Sequence, residues 1–130
     1  MSSNPKLLQG VVPPVCTPFT TDYEVDEKSL RRLINHLIDG GVHGLFVLGS
    51  TSEVAYLTDK RRADVIRIAL DETAGRVPVV AGAIDMTTLR VNEHVHAAVK
   101  AAGDIPVTVK MRKGIDSNHN ILSCCYYGVV

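Results

Sequence analysis

The chain has 130 residues, 45% of them hydrophobic, and its 14 basic side chains balance 14 acidic ones. This is the composition of one soluble globular domain with apolar material enough for a core. A neutral chain lacks the basic face that nucleic acid or an acidic membrane surface favours, and no apolar run approaches the roughly 18 residues that span a bilayer.

The opening MSSNPKLLQG lacks the apolar stretch of a signal peptide, which predicts a cytoplasmic protein. Residues 11–15 are the first apolar run, and Pro13 and Pro14 make it an irregular or edge-like strand. Cys16 follows. With Cys124 and Cys125 it gives an odd count with two adjacent, a poor disulfide framework. Neither a CxxC nor an HExxH spacing occurs, and His119 beside Cys124 and Cys125 is too little for a metal site, so none is expected.

Asp26 can cap a helix whose apolar positions Leu30, Leu33, Ile34, Leu37 and Ile38 form one face, ended by Gly40 and Gly41. Residues 45–48 read as a second strand. Thr58 then caps a second helix, with Asp59 in its first turn, a stripe of Ala63, Ile66, Ala69 and Leu70, and Gly75 at its end. The run VPVVAGAI, residues 77–84, is apolar on both faces and suits a buried parallel strand. Thr87 or Thr88 caps a third helix with Val91, Val95, Ala98, Val99 and Ala102 inward and Gly103 at its end. Residues 107–111 alternate as a fourth strand, and the closing SNHNILSCCYYGVV follows no clear helical pattern.

Strands alternating with helices predict a parallel sheet. About four βα units fall short of a closed (βα)8 barrel, which typically takes about 250 residues. The expected fold is therefore α/β: a partial (βα)8 TIM barrel or a small open parallel sheet, in one domain over residues 1–130. A half barrel leaves unpaired edge strands, so self-association into a homo-oligomer is expected.

Ligands of parallel α/β proteins sit at the carboxyl ends of the strands, and GLFVLGSTSE places a polar loop there. Gly49 permits close backbone approach, while Ser50, Thr51 and Ser52 add hydroxyls and consecutive N–H donors. Such a loop suits one carboxylate or phosphate; it also reads as an ordinary polar connection whose hydroxyls satisfy local backbone.

Four segments in order, GVVPPVCTPF, LINHLIDGGVHGLFVLGSTSE, LTDKRR and VPVVAGAI, resemble the start of the dihydrodipicolinate synthase / N-acetylneuraminate lyase family over residues 10 to about 103. The resemblance implies a (βα)8 barrel, usually tetrameric and without cofactor, in which a lysine forms a Schiff base with pyruvate or another 2-oxo acid in an aldolase-type lyase reaction. It implies that Gly49, Ser50 and Thr51 bind substrate, Thr51 at the carboxylate, and that Ser50 stands at the proton-relay hydroxyl. Ser52 replaces the family's usual glycine and is strained if that position needs a positive φ; Glu53 reads as structural. The family's attacking lysine lies on a sixth strand and its relay tyrosines on strands four and five, beyond the part resembled. That predicts an N-terminal fragment without Schiff-base turnover.

From residue 104 the chain departs from that pattern. DIPVTVKMRKG resembles a strand of tRNA-dihydrouridine synthases, in which a lysine at the position of Lys110 helps to hold FMN, so residues 104–130 read as an unrelated strand and tail. Lys110 is also weighed as a replacement Schiff-base lysine, with Arg112 and Lys113 beside it; more commonly such a lysine is solvated or paired. His36, His43, His94 and His96 read as surface or partly buried histidines, Tyr126 and Tyr127 as tail core or interface, and the Lys60–Arg61–Arg62 run as a solvated helix face.

Overall fold

A computed structural model describes residues 8–103, 107–110 and 127–128. Within them α1 spans Glu27–Asp39, β1 Leu45–Val47, α2 Asp59–Thr73, β2 Val79–Gly82, α3 Thr88–Ala102, β3 Val107–Lys110 and β4 Tyr127–Gly128. Two short 3-10 turns, Ser50–Ser52 and Val54–Tyr56, bridge β1 to α2.

Each helix starts where a side chain satisfies an otherwise orphaned N–H. Asp26 accepts from the Ser29 amide, Thr58 from Arg61 and Thr87 from Arg90. Gly40 closes α1 by donating to the His36 carbonyl. At the end of α2 the left-handed residue is Ala74, with φ of 47°, and Gly75 follows it at 73°. The expected end at Gly75 is thus corrected by one residue, to Ala74.

The strands lie in the order β1-β2-β3-β4. β1 runs parallel to β2 with Leu45 opposite Val79, and β2 parallel to β3 with Val80 opposite Thr108 and Gly82 opposite Lys110. β4 pairs antiparallel with β3, Tyr127 opposite Thr108, a departure from the all-parallel expectation that falls in the segment whose pattern was unreadable. The 11–15 run takes the place beside β1. Pro14 bridges Phe46 in parallel, the Val15 N–H donates to Phe46 O at 2.8 Å, and the Phe46 N–H donates to Pro13 O at 3.0 Å. Its prolines keep it an irregular edge, as their missing donors require.

The helices cover one sheet face. Leu45, Val47, Val79 and Ala81 join Leu30, Ile34, Val65, Ile66, Ala69, Ala98 and Ala102 in one core cluster. Phe46 and Val80, pointing the other way by strand alternation, take no part in it. α1 and α2 are also clasped by charge: Arg31 reaches Asp71 at 2.7 Å and Glu72 at 2.8 Å, and Asn35 Nδ2 donates to Glu72 at 2.5 Å. On α3 the inward residues are Ala98, Ala102 and His94, whereas Val99 is 39% exposed. Val99 lies one step round the helix from Ala98, off the stripe running through 91, 94, 98 and 102.

Candidate functional site

The carboxyl ends of the parallel strands carry the predicted loop, and backbone geometry shapes it. β1 stops a residue earlier than expected because Leu48 turns into the left-handed region, φ 56°, with its side chain buried. A bulky residue rarely holds that conformation unless its surroundings demand it. Leu48 turns against β2: a Cβ on Gly82 would stand 2.2 Å from the Leu48 carbonyl oxygen, so only glycine there lets the two backbones meet. Gly49 is fixed in the same way from below, since a Cβ there would lie 2.8 Å from the Phe46 ring.

Beyond Gly49 the chain coils through a 3-10 turn. The amides of Ser52 and Glu53 are used by Gly49 O and Ser50 O, at 3.0 and 3.1 Å. The side chains of Ser50 and Thr51 are exposed, and neither their hydroxyls nor their amides have a partner among the described residues. Among the described residues, four donors therefore stand free at one strand end. Ser52 is fully buried, and its hydroxyl donates to the Val15 carbonyl, tying the loop to the edge segment. The sequence expectation of strain at Ser52 is corrected: the residue with positive φ is Glu53, at 56°. Serine at this place serves as a clamp.

The outer wall of the loop depends on Arg62. The sequence reading assigned the Lys60–Arg61–Arg62 run to solvent. That holds for Lys60, 82% exposed and paired with Asp64, and Arg61 forms a 2.7 Å ion pair with the exposed Glu24. Arg62 is instead nine-tenths buried. Its guanidinium donates to Val54 O at 3.1 Å, Ile84 O at 3.2 Å and Leu57 O at 3.3 Å. One side chain thus joins the turn after the loop to the end of β2, and burial pulls its pKa below the usual arginine value.

Beside it lies a second polar group that sequence reasoning missed. His94, expected at or near the surface, is buried in α3 with Nε2 2.8 Å from Asp85 Oδ2. That bond, with one from the Met86 amide, holds the Asp85 carboxyl below its ordinary range. Arg90 pairs with Asp59 at 2.9 Å and lowers that carboxyl too. The cluster ties the start of α2 to α3.

Of the other histidines, His36 and His96 are exposed, and exposed His43 accepts the Val11 N–H at Nδ1, 3.0 Å, as a structural acceptor. Cys16 is free and exposed. Arg112, Lys113, His119, Cys124, Cys125 and Tyr126 lie outside the described residues, and Tyr127 enters only as backbone of β4. Lys110 stands at the end of β3, in register with Gly82. Among the described residues no group of His, Cys, Asp and Glu is arranged to hold a metal, and no described helix is long and apolar enough to cross a membrane.

Comparison with known proteins matches residues 7–103 to the dihydrodipicolinate synthetase family. A 4-hydroxy-tetrahydrodipicolinate synthase of Salinibacter ruber is 43% identical over 98 residues, covering 75% of this chain and 32% of the relative. In three dimensions a prophage protein of the dihydrodipicolinic acid synthase family from E. coli K12, solved in complex with pyruvate, superposes with a TM-score of 0.71 at 37% identity, over 79% of this chain and 34% of that one. A dihydrodipicolinate synthase from Aquifex aeolicus gives 0.70 at 31% identity, over 78% and 34%. The chain thus spans about a third of the length of these proteins. The family match ends at residue 103.

Proposed function

The chain belongs to the dihydrodipicolinate synthetase family, with the α/β architecture of a partial TIM barrel, and on that premise we propose that residues 49–51 are the carboxylate-holding loop of a pyruvate-dependent lyase of the aldolase type. The observation that carries this reading is the set of amides and hydroxyls of Ser50 and Thr51, without a partner among the described residues, at a strand end inside the matched region. A carboxylate is an acceptor only, so converging N–H and O–H donors suit it. Thr51 supplies the main anchor. Ser50 supplies a hydroxyl that passes a proton, the part its position has in the family pattern. The pyruvate bound in the E. coli relative supports a 2-oxo acid as the ligand.

These 130 residues alone bind such an acid weakly and do not turn it over. A Schiff base needs an amine that is neutral at working pH, and the family pattern takes it from a later strand. Titration with sodium pyruvate, followed by amide resonances, is expected to move Gly49, Ser50 and Thr51 saturably. Borohydride reduction in the presence of pyruvate should leave the intact mass unchanged; a stoichiometric adduct would overturn the inactivity.

A second reading concerns assembly. The sheet face bearing Phe46 and Val80 lies outside the core cluster, and Val12 and Cys16 on the edge segment have no backbone partner among the described residues. Both features favour self-association that completes the sheet. Sizing chromatography tests it, and a stable monomer at high concentration would exclude it.

A further inference from the structure

The ring of Phe46 touches the loop from the sheet face without helices. Phe46 is the middle residue of β1, and strand alternation sets its side chain opposite to those of Leu45 and Val47, which belong to the core cluster. Its backbone is held on both sides. Its amide donates to Pro13 O at 3.0 Å, its carbonyl accepts from the Val15 amide at 2.8 Å, and it stands in register with Val80 of β2. A Cβ on Gly49 would lie 2.8, 3.1 and 3.4 Å from the Cε1, Cζ and Cδ1 atoms of Phe46, so the ring edge fills the space that a side chain at Gly49 would take. Gly49 is bonded directly to Ser50, the first residue whose amide and hydroxyl have no partner among the described residues. Phe46 is only partly buried, whereas Leu45, Val47 and Leu48 around it are buried. An apolar surface on a paired strand thus stands directly beside the polar donors.

We infer that Phe46 is the apolar wall of the acid site and limits the length of the acid: a carboxylate on Ser50 and Thr51 lays its carbon chain against the ring, which accepts a short 2-oxo acid and excludes longer ones. The inference rests on the carboxylate-loop reading and deepens it, by naming the residue that selects among 2-oxo acids. The loop donors meet a carboxylate that every such acid carries, so discrimination by length comes from the apolar surface beside them. A phenyl ring suits that part, being large and without polar atoms. Its strand is bonded on both edges, so the wall does not yield to a longer chain. Phe46 acts in binding, and no covalent step is involved.

The test is titration of the full chain with pyruvate, 2-oxobutanoate and 2-oxopentanoate, read by the amide shifts of residues 49–51. The wild type is expected to prefer pyruvate over 2-oxopentanoate by about ten-fold, since overpacking against a fixed ring is unfavourable. Phe46→Leu should reduce that preference to about two-fold and Phe46→Ala should abolish it, because each methylene that finds room contributes about four-fold. The preference compares acids on one sample, so partial unfolding of a variant does not move it. In the wild type, Overhauser contacts should also join the pyruvate methyl to the Phe46 ring protons, a readout that needs no variant. Equal weakening of all three acids in Phe46→Leu, or saturable pyruvate shifts without a contact to the ring, would overturn the role of Phe46 and leave the loop reading standing. Absence of any saturable shift in the wild type would overturn the loop reading itself, and the inference with it.

Discussion

Replacing Arg62 with methionine keeps the aliphatic stem and removes the guanidinium. Three backbone carbonyls, Val54, Leu57 and Ile84, then lose donors at 3.1, 3.3 and 3.2 Å. A hydrogen bond to a charged group contributes about 1.5–3 kcal/mol net, but these three are long and share one ion whose burial is itself unfavourable. The sum is therefore well below three full bonds, and we expect a loss of about 2–3 kcal/mol. Urea unfolding followed by circular dichroism should show it as a lower midpoint at unchanged slope. The effect should also be local: the Tyr56 and Leu57 amides, bonded to Glu53 O and Val54 O, should exchange faster with solvent. Arg62→Lys should fall between, since one ammonium cannot match three diverging acceptors from a fork's positions. An Arg62→Met midpoint equal to wild type would refute the reasoning, because desolvation would then cancel all three bonds.

The hydroxyl of Thr73, buried and without a hydrogen-bond partner among the described residues, predicts that Thr73→Val stabilises the protein by about 1 kcal/mol, since shape is kept and an unsatisfied group removed; a destabilised variant in the same urea assay would show that the hydroxyl is bonded in solution. Gly82→Ala should cost about 3 kcal/mol or fail to fold, because its methyl meets backbone rather than a movable side chain. Wild-type amide shifts at residues 48–51 in that variant would contradict the close contact. Glu72 is held below the ordinary glutamate range, first by Arg31 and then by Asn35. Its contribution is present above the unfolded value of about 4.3 and is lost as pH falls through the folded value. Stability measured from neutral pH downwards should therefore fall less steeply in Glu72→Gln than in wild type, and parallel curves would count against the clasp.

Much of the fold could be read locally. Asp26, Thr58 and Thr87 cap where expected because a cap depends on its next three residues. The run 77–84 reads as buried because both of its faces are apolar, and β2 is indeed buried throughout. What escaped depends on distant chain. The left-handed Leu48 packs its carbonyl against Gly82, more than thirty residues away in sequence. Ser52 looked misplaced because its partner, the Val15 carbonyl, belongs to another strand. Arg62 did leave a signal: three consecutive charges on a helix span about 200°, and Arg62 lies in line with Val65, Ile66, Ala69 and Thr73, all buried. His94 is likewise four residues before Ala98 and eight before Ala102. A charged or polar residue inside such a stripe marks a buried hydrogen-bonding role, and the carbonyl or carboxylate that answers it is found only in three dimensions.

The strands lie side by side in the order in which they occur in the chain: the 11–15 segment, β1, β2 and then β3. On a ribosome this means that every new strand emerges to find its neighbour already made, with one helical connection between them. Docking can proceed by accretion, each βα unit templating the next, without waiting for the carboxyl terminus. Arrested nascent chains ending successively beyond α1, α2 and α3 should accordingly gain protease resistance in steps.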